Sequence, residues 1–413
     1  MRHLWLALAA LLAGSLVASP ASALDVDLQG FLQGNYAVGL GPANPNGESA
    51  KWAEERLQAR FDGAGQAGRL FLKADAAYDH TRDQTEVELR EGFLDHGAGR
   101  WDLRLGRQIL TWGLGDLLFI NDVFPKDYEA FFAGRPLEYL KTGVDAAKAG
   151  LYPDFASFEI VAIPFFTPDH LPDPERFHMP GPGAWIEERP TDGRDTELAL
   201  RAYRDLAGFD VSLYAFSGFF RRPALRASTM APGSTPALFY PRLAVYGASA
   251  QGRALEGVLS LEAGYYDSRQ DRDGADPFVP NDETRFLVGY QRQLWEDGVL
   301  GLQYYGERMH DFGRYQETLP PGFPGARRLR DLASVRFTQL FRHQTLRLSF
   351  LAFYGLAERD YLVNPEVRYH VSDRIWAAAG AMIFGGQDWS QFGSLDRDDH
   401  VYLQMRYELV MLP

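Results

Sequence analysis

"VYLQMRYELVM", Val401 to Met411, is the stretch on which the fold turns. Val401, Leu403, Met405, Tyr407, Leu409 and Met411 share one side of an extended chain, and Tyr402, Gln404, Arg406 and Glu408 share the other. Successive side chains of a strand point to opposite faces, so this alternation sorts two environments. The same period runs through the rest of the sequence. In "RWDLRLGRQ", Trp101, Leu103 and Leu105 oppose Asp102, Arg104 and Gln108. In "HQTLRLSFLAFYG", Leu346, Leu348, Phe350, Ala352 and Tyr354 oppose Thr345, Arg347 and Ser349. In "NPEVRYHV", Val367, Tyr369 and Val371 oppose Glu366, Arg368 and His370.

About 18 such segments can be marked out, each near the ~9–11 residues that cross a bilayer at a tilt. They are expected to start near Val26, Glu55, Arg69, Glu86, Trp101, Val144, Phe155, Thr196, Phe209 and Arg242, then near Ala254, Thr284, Val299, Leu332, Thr345, Leu362, Arg374 and Val401. Their connections alternate in length. Tight turns such as "GAGQAGR", "HGAGR", "WEDG", "FRHQ" and "HVSD" carry hairpin residues. Most of the others are long: 41–52, 111–143, 166–195, 218–241, 267–283, 309–329 and 386–399, with short exceptions at "DHTRDQT" and "LAERDY". Short turns on one side and long loops on the other are the pattern of a bacterial outer-membrane barrel. The fold class expected is therefore all-β, a transmembrane antiparallel β-barrel of 16–18 strands. A soluble sandwich or propeller also alternates, but Leu, Tyr and Phe on nearly every strand would demand a very large core. No repeat of about 40 residues appears, as a propeller would show.

The remaining composition fits export. Arg2 and His3, the apolar run Leu4 to Val17 and Ala21-Ser22-Ala23 read as a secretory signal over residues 1–23. Residues 24–413 are then the barrel. The chain of 413 residues carries a formal net charge of -13, which argues against nucleic acid as a partner. It has no cysteine, so no disulfide, Fe–S cluster or thiolate metal site exists. Mean hydropathy is -0.27, and no stretch after residue 24 approaches a membrane helix. "DRDGAD" at Asp271–Asp276 fails the EF-hand spacing. "PDHLPDPERFH" offers Asp169, His170, Asp173, Glu175 and His178 in a Pro-rich stretch that holds them apart as easily as together. No metal or cofactor is expected.

In a membrane barrel the apolar face meets lipid and the polar face lines the lumen, the reverse of a soluble protein. An arginine facing lipid at mid-depth costs roughly 2–4 kcal/mol, so the charged phase of each strand must point inward. Arg56, Arg60, Lys73, Asp75, Glu88, Arg90, Arg104, Gln108, Arg336, Arg347, Glu366, Arg368 and Arg406 are then lumen residues.

The segment "RLGRQILTWGLGDLLFINDVFPKDYEAFFAG", Arg104 to Gly134, leads into the third loop on the long-loop side, between the fifth and sixth strands. Lys126 to Ala133 is expected to be a short helix, with Pro125 suited to its first turn and Gly134 to its end. Phe124, Tyr128, Phe131 and Phe132 fall on one helical face, with Asp127 and Glu129 off it. Such an apolar stripe is not left uncovered. It is expected to fold inside the barrel, packed on the wall, with its acids toward the channel. The alternative packs it on the outer rim or against a neighbouring subunit.

A strand with "LGRQ", then "TWG", then a long third loop resembles porin-like outer-membrane families of Gram-negative bacteria. The loop position resembles general diffusion porins, and the "GRQ…WG" approach resembles uncharacterised or substrate-export porin-like families. The resemblance implies a channel for passive diffusion of small polar or anionic solutes, seated in outer-membrane lipid, with a homo-oligomer as an analogy. It implies that Asp127 and Glu129 are loop acids and that Arg104 and Gln108 are wall residues at a constriction. The candidate constriction residues are thus Arg104, Gln108, Asp116, Asp127 and Glu129 with wall arginines Arg56, Arg60, Arg336, Arg347, Arg368 and Arg406. No catalytic residue is assigned. An outer-membrane enzyme would need a nucleophile beside a histidine, for which His80, His310, His400, Ser249 and Ser349 are the candidates, and no GxSxG turn exists. A barrel that sheathes a periplasmic electron carrier is the other alternative. It should have an emptier lumen without an inward loop.

Overall fold

The computed structural model describes residues 25–66, 68–178, 185–191, 193–229 and 234–410. The expected signal segment 1–23 and Met411 lie outside them. The first strands are β1 (Asp25–Gly39), β2 (Ala50–Gly65), β3 (Gly68–Asp79), β4 (Gln84–Ala98), β5 (Trp101–Gln108) and β6 (Val144–Leu151). Next come β7 (Ser157–Ile163), β8 (Glu197–Leu206), β9 (Phe209–Phe219), β10 (Arg242–Ala254), β11 (Gly257–Ser268) and β12 (Glu283–Trp295). The last six are β13 (Gly298–Met309), β14 (Leu329–Phe341), β15 (Leu346–Gly355), β16 (Tyr361–Ser372), β17 (Ile375–Gly385) and β18 (His400–Val410). Each pairs antiparallel with the next, and β1 pairs with β18, so the 18-stranded sheet closes on itself. Closure leaves no edge strand with unpaired N–H and C=O groups, which is what lets a sheet stand in hydrocarbon.

The expected strand starts fall within a few residues of these. The largest difference is β2, which begins five residues before Glu55. That extension carries Lys51, fully buried and paired with Asp398 of the connection before β18. A polar extension held by a distant loop has no membrane-strand signature of its own.

The two faces have opposite character. Leu32, Leu57, Leu213, Leu302, Leu403 and Met405 are exposed, while Gln33, Arg56, Asp75, Glu262 and Gln404, one position out of phase, are buried. The register carries this phase around the barrel: Arg56 lies opposite Gln33, and Gln33 opposite Arg406. The tight turns use positive φ where the pleat must reverse in a few residues, as at Gly208 (φ 84°) and Asp297 (φ 60°). Three short strands, Ile186–Glu188, Ala224–Leu225 and Ala237–Phe239, form a separate small sheet in the long loops.

Candidate functional site

The connection from β5 to β6 spans residues 109–143 and holds helix α1 (Tyr128–Phe132). The helix starts two residues later than the sequence pattern predicts, because Asp127 is its N-cap. The Asp127 carboxylate accepts the N–H of Ala130 at 2.8 Å, one of the first-turn donors left without an intrahelical partner. Gly134 ends the turn with φ 71°, and a Cβ there would come within 2.6 Å of the Tyr402 ring. The apolar stripe splits. Phe124 and Phe132 are buried, Phe124 against Trp112 and Phe132 against Phe384 of β17. Tyr128 and Phe131 are only partly covered and line a cavity.

Polar partners of this segment stand on strands far apart around the barrel. Arg90 of β4 donates to the carbonyls of Glu138 (2.9 Å) and Lys141 (3.1 Å). Glu262 of β11 accepts from Leu114, Gly115 and Asn121. Gln303 of β13 accepts the N–H of Asp116 at 3.2 Å. Gln404 of β18 donates to the carbonyl of Gly134 at 2.6 Å, and Arg406 pairs with Glu138. The aromatic residues extend the pattern: the Arg56 guanidinium lies 4.7 Å from the Tyr139 ring centroid, and Ile120 packs in one cluster with Tyr266 and Leu287.

The predicted site residues separate into three groups. Asp116 and Arg336 come together at 2.9 Å and are both substantially exposed, at 41% and 36% of their side-chain area. Arg347 and Arg368 share Glu366, at 2.9 and 3.3 Å, and Arg406 joins this side of the wall with its guanidinium 5.2 Å from the Trp376 ring that Arg368 also covers. Arg56 is buried between Glu54 and Asp75 and meets the segment at the Tyr139 ring. Arg60 pairs with Asp62, and Arg104 makes a two-pronged bond to Asp95 while stacking on Phe93 at 3.9 Å; neither bonds the segment. Gln108 is fully buried at the top of β5, donating to the carbonyls of Gly106 and Ala146, where it finishes the strand.

Asp127 and Glu129 do not turn toward those wall arginines. They face the loop that follows β7, at residues 164–196. Glu129 is 1% exposed; it accepts the N–H of Asp173 at 2.8 Å and lies 3.6 Å from Arg176 and 3.8 Å from Arg82. Asp127 pairs with His170 at 3.1 Å. Backbone bonds complete the clasp, Tyr128 N–H to the His170 carbonyl and His170 N–H to the Lys126 carbonyl, both 2.8 Å. Most charged residues of "PDHLPDPERFH" are engaged: Asp169 accepts the Lys126 N–H, Asp173 pairs with Arg82, and His178 pairs with Asp398, while Glu175 is exposed. Burial pushes the Glu129 carboxyl up to about 7 against the pull of His170 and Arg82. The hydrogen bond to Asp127 raises His170 to about 9, and burial opposes it.

Beside α1 lies a cavity of about 480 Å³. Phe119, Tyr128, Phe131, Tyr305 and Phe353 give it an aromatic lining. A chain of ion pairs crosses its wall, Glu283–Arg285–Glu307–Arg330, with separations of 2.8, 3.7 and 3.3 Å. None of these four was marked from the sequence as a site residue. The strand phase could have found them, since they occupy the same alternating face as Arg336, Arg330 on its own strand and the others on the two strands before it. Glu262 was also unmarked; its signal is a lone acid in the otherwise apolar "VLSLEAGYY".

No protein-family model matches the chain, and no curated protein matches it. Solved structures do. OccK2 (OpdF) of Pseudomonas aeruginosa, determined in complex with glucuronate, superposes with a TM-score of 0.59 over 94% of this chain and 99% of that one, at 11% identity. OccD3 (OpdP) of the same organism gives 0.58 over 98% of both chains, again at 11% identity. OccAB3 of Acinetobacter baumannii gives 0.57 over 93% and 99%, at 9% identity. At such identities the likeness is one of architecture. With its closed sheet of 18 antiparallel strands, the chain has the fold of the outer-membrane porins of Gram-negative bacteria.

Proposed function

We propose that the protein is a passive outer-membrane channel for small polar or anionic solutes, and that segment 109–143 folds into the lumen as its constriction. One observation carries the second half. The segment joins neighbouring strands, yet its partners Arg90, Glu262, Gln303 and Arg406 stand on β4, β11, β13 and β18. A chain reaches all of these at once by crossing the inside of a closed cylinder.

The water path is proposed to run past Asp116 and Arg336. They stay exposed while the polar groups between the segment and β1–β4 are sealed: Gln33, Glu54, Arg56 and Asp75 are each at most 5% exposed. Arg336, Arg347, Arg368 and Arg406 give this side of the wall a basic character, and Asp116 supplies the facing acid. Fixed charges at a narrow place select ions by sign. The vestibule cavity, aromatic with paired charges, lies on the outer side of that gap and would hold a solute before passage. The exposed Leu, Tyr and Met of the outer face are proposed to meet lipid.

An enzymatic role has less support. Ser249 bonds the Tyr214 hydroxyl at 2.9 Å, and His310 faces Thr284 at 2.8 Å, so neither enters the Ser–His pairing that acyl transfer needs. The proposal is tested by swelling of proteoliposomes in isotonic solutes. Small carboxylates should enter faster than neutral sugars of equal size. Swelling no faster than that of protein-free vesicles would rule out a diffusion channel.

A further inference from the structure

We infer that Glu262 sets the width of the constriction, by locking the tip of segment 109–143 into a socket on β10 and β11. This assignment rests on the constriction reading above, and makes Glu262 a positioning residue for the Asp116–Arg336 gap.

Glu262 is 3% exposed. One of its oxygens accepts the N–H groups of Leu114 (2.7 Å) and Gly115 (3.1 Å). The other accepts the N–H of Asn121 (2.8 Å) and the Asn121 side-chain amide (2.9 Å). Among the described residues no basic side chain pairs with it, and these four N–H groups are what its oxygens meet. Buried carboxylate oxygens left without such donors would be costly.

The wall around it is shaped for the tip. Gly247 and Gly264 are cross-strand partners in the β10–β11 register, which leaves a patch of wall without side chains. Ile120 and Asn121, 0% and 1% exposed, fill that patch. A Cβ on Gly264 would come within 2.8 Å of the Ile120 side chain, and one on Gly247 would collide with the Asn121 amide. Tyr266 donates its hydroxyl to the Ile120 carbonyl from the next inner position. The segment is fitted in return: Gly113 has φ 77°, and a Cβ there would stand 2.6 Å from Glu262.

The placement explains what the lock does. Asp116 sits between the two stretches the carboxylate holds, Leu114–Gly115 on one side and Asn121 on the other. Fixing both fixes Asp116 against Arg336. Releasing them lets the tip leave the wall, which widens the gap and takes Asp116 away from it.

The test uses single channels of the full-length mature barrel, with heat-modifiable gel mobility as the check of folding. Glu262→Gln keeps the volume but turns an amide N–H toward donors. Gly264→Val leaves the carboxylate and fills the place of Ile120. Both are expected to raise mean conductance about twofold and to add open-state noise, since a charged constriction dominates the resistance of a pore. Combined with removal of residues 117–140, Glu262→Gln should add nothing to the effect of the removal. The chain has no cysteine, so Leu117→Cys offers a unique site for a spin label, immobilised in the parent and mobile in the Glu262→Gln background. If removal of 117–140 raises conductance while folded Glu262→Gln and Gly264→Val channels conduct and label as the parent does, the lock is wrong and the constriction stands. If removal itself leaves conductance unchanged, the constriction fails and the lock with it.

Discussion

Asp116 and Arg336 are the two charges on which ion selectivity should turn. Their bond of 2.9 Å joins side chains that are each more than a third exposed. An ion pair so exposed contributes about 0–1 kcal/mol to stability, so both charges remain available to act on a passing ion. Arg336→Ala is expected to shift the zero-current potential in a KCl gradient toward cation preference, and Asp116→Asn to shift it toward anions. Identical potentials for parent and both variants would remove this pair from the selectivity mechanism. Both residues were marked from the sequence, Arg336 from its strand phase and Asp116 from its place in the third loop on the long-loop side, and the structure brings them together. Glu129 was not. Its helix position puts it off the apolar stripe, and nothing local reveals that Asp173 and Arg176, more than forty residues on, close over it. Glu262 escaped for a similar reason. A single inward acid looks like any other lumen residue until the N–H groups around it are seen.

The clasp between α1 and the loop 164–196 is an element-scale device with a pH dependence. His170 holds its proton to about 9 in the folded protein against an ordinary 6.5, so the stability it lends is complete below pH 6.5 and lost as pH rises through 9. Glu129 holds its proton to about 7 against 4.5, so its contribution also falls, between pH 4.5 and 7. The two act in the same direction, and the clasp weakens as pH rises. Open-channel noise should therefore grow between pH 6.5 and 9, and His170→Ala should abolish that upper part of the profile. A flat noise spectrum across the range in the parent channel would contradict it. At this scale the sequence was a good guide to the strands and a partial one to the loops. Most barrel strands had a period-two signature, while β6, β7 and β17 are too apolar on both faces to give a firm phase. The start of α1 was misplaced because both Pro125 and Asp127 suit a helix beginning, and the cap that won is the one whose carboxylate bonds Ala130.

For the whole molecule, closure and inversion decide the rest. The 18 strands bury their polar faces and expose their apolar ones, which is unstable in water and stable in a bilayer. This was readable because the cost of an arginine in lipid, roughly 2–4 kcal/mol at mid-depth, forces nearly every strand to keep its phase. How the lumen is divided was not readable. The proposed sealing on the β1–β4 side and gap beside β14 depend on which wall residue meets which loop residue, and those pairs lie from 48 to 270 positions apart in sequence.

The most direct measurement is single-channel conductance of the refolded barrel in planar bilayers, beside a variant lacking residues 117–140. A steady pore in the parent and a severalfold larger one in the variant is the outcome expected of a lumen narrowed by this segment. Equal conductance in two folded channels would place the segment outside the conduction path, and a silent, well-folded parent barrel would mean that the protein is no diffusion channel.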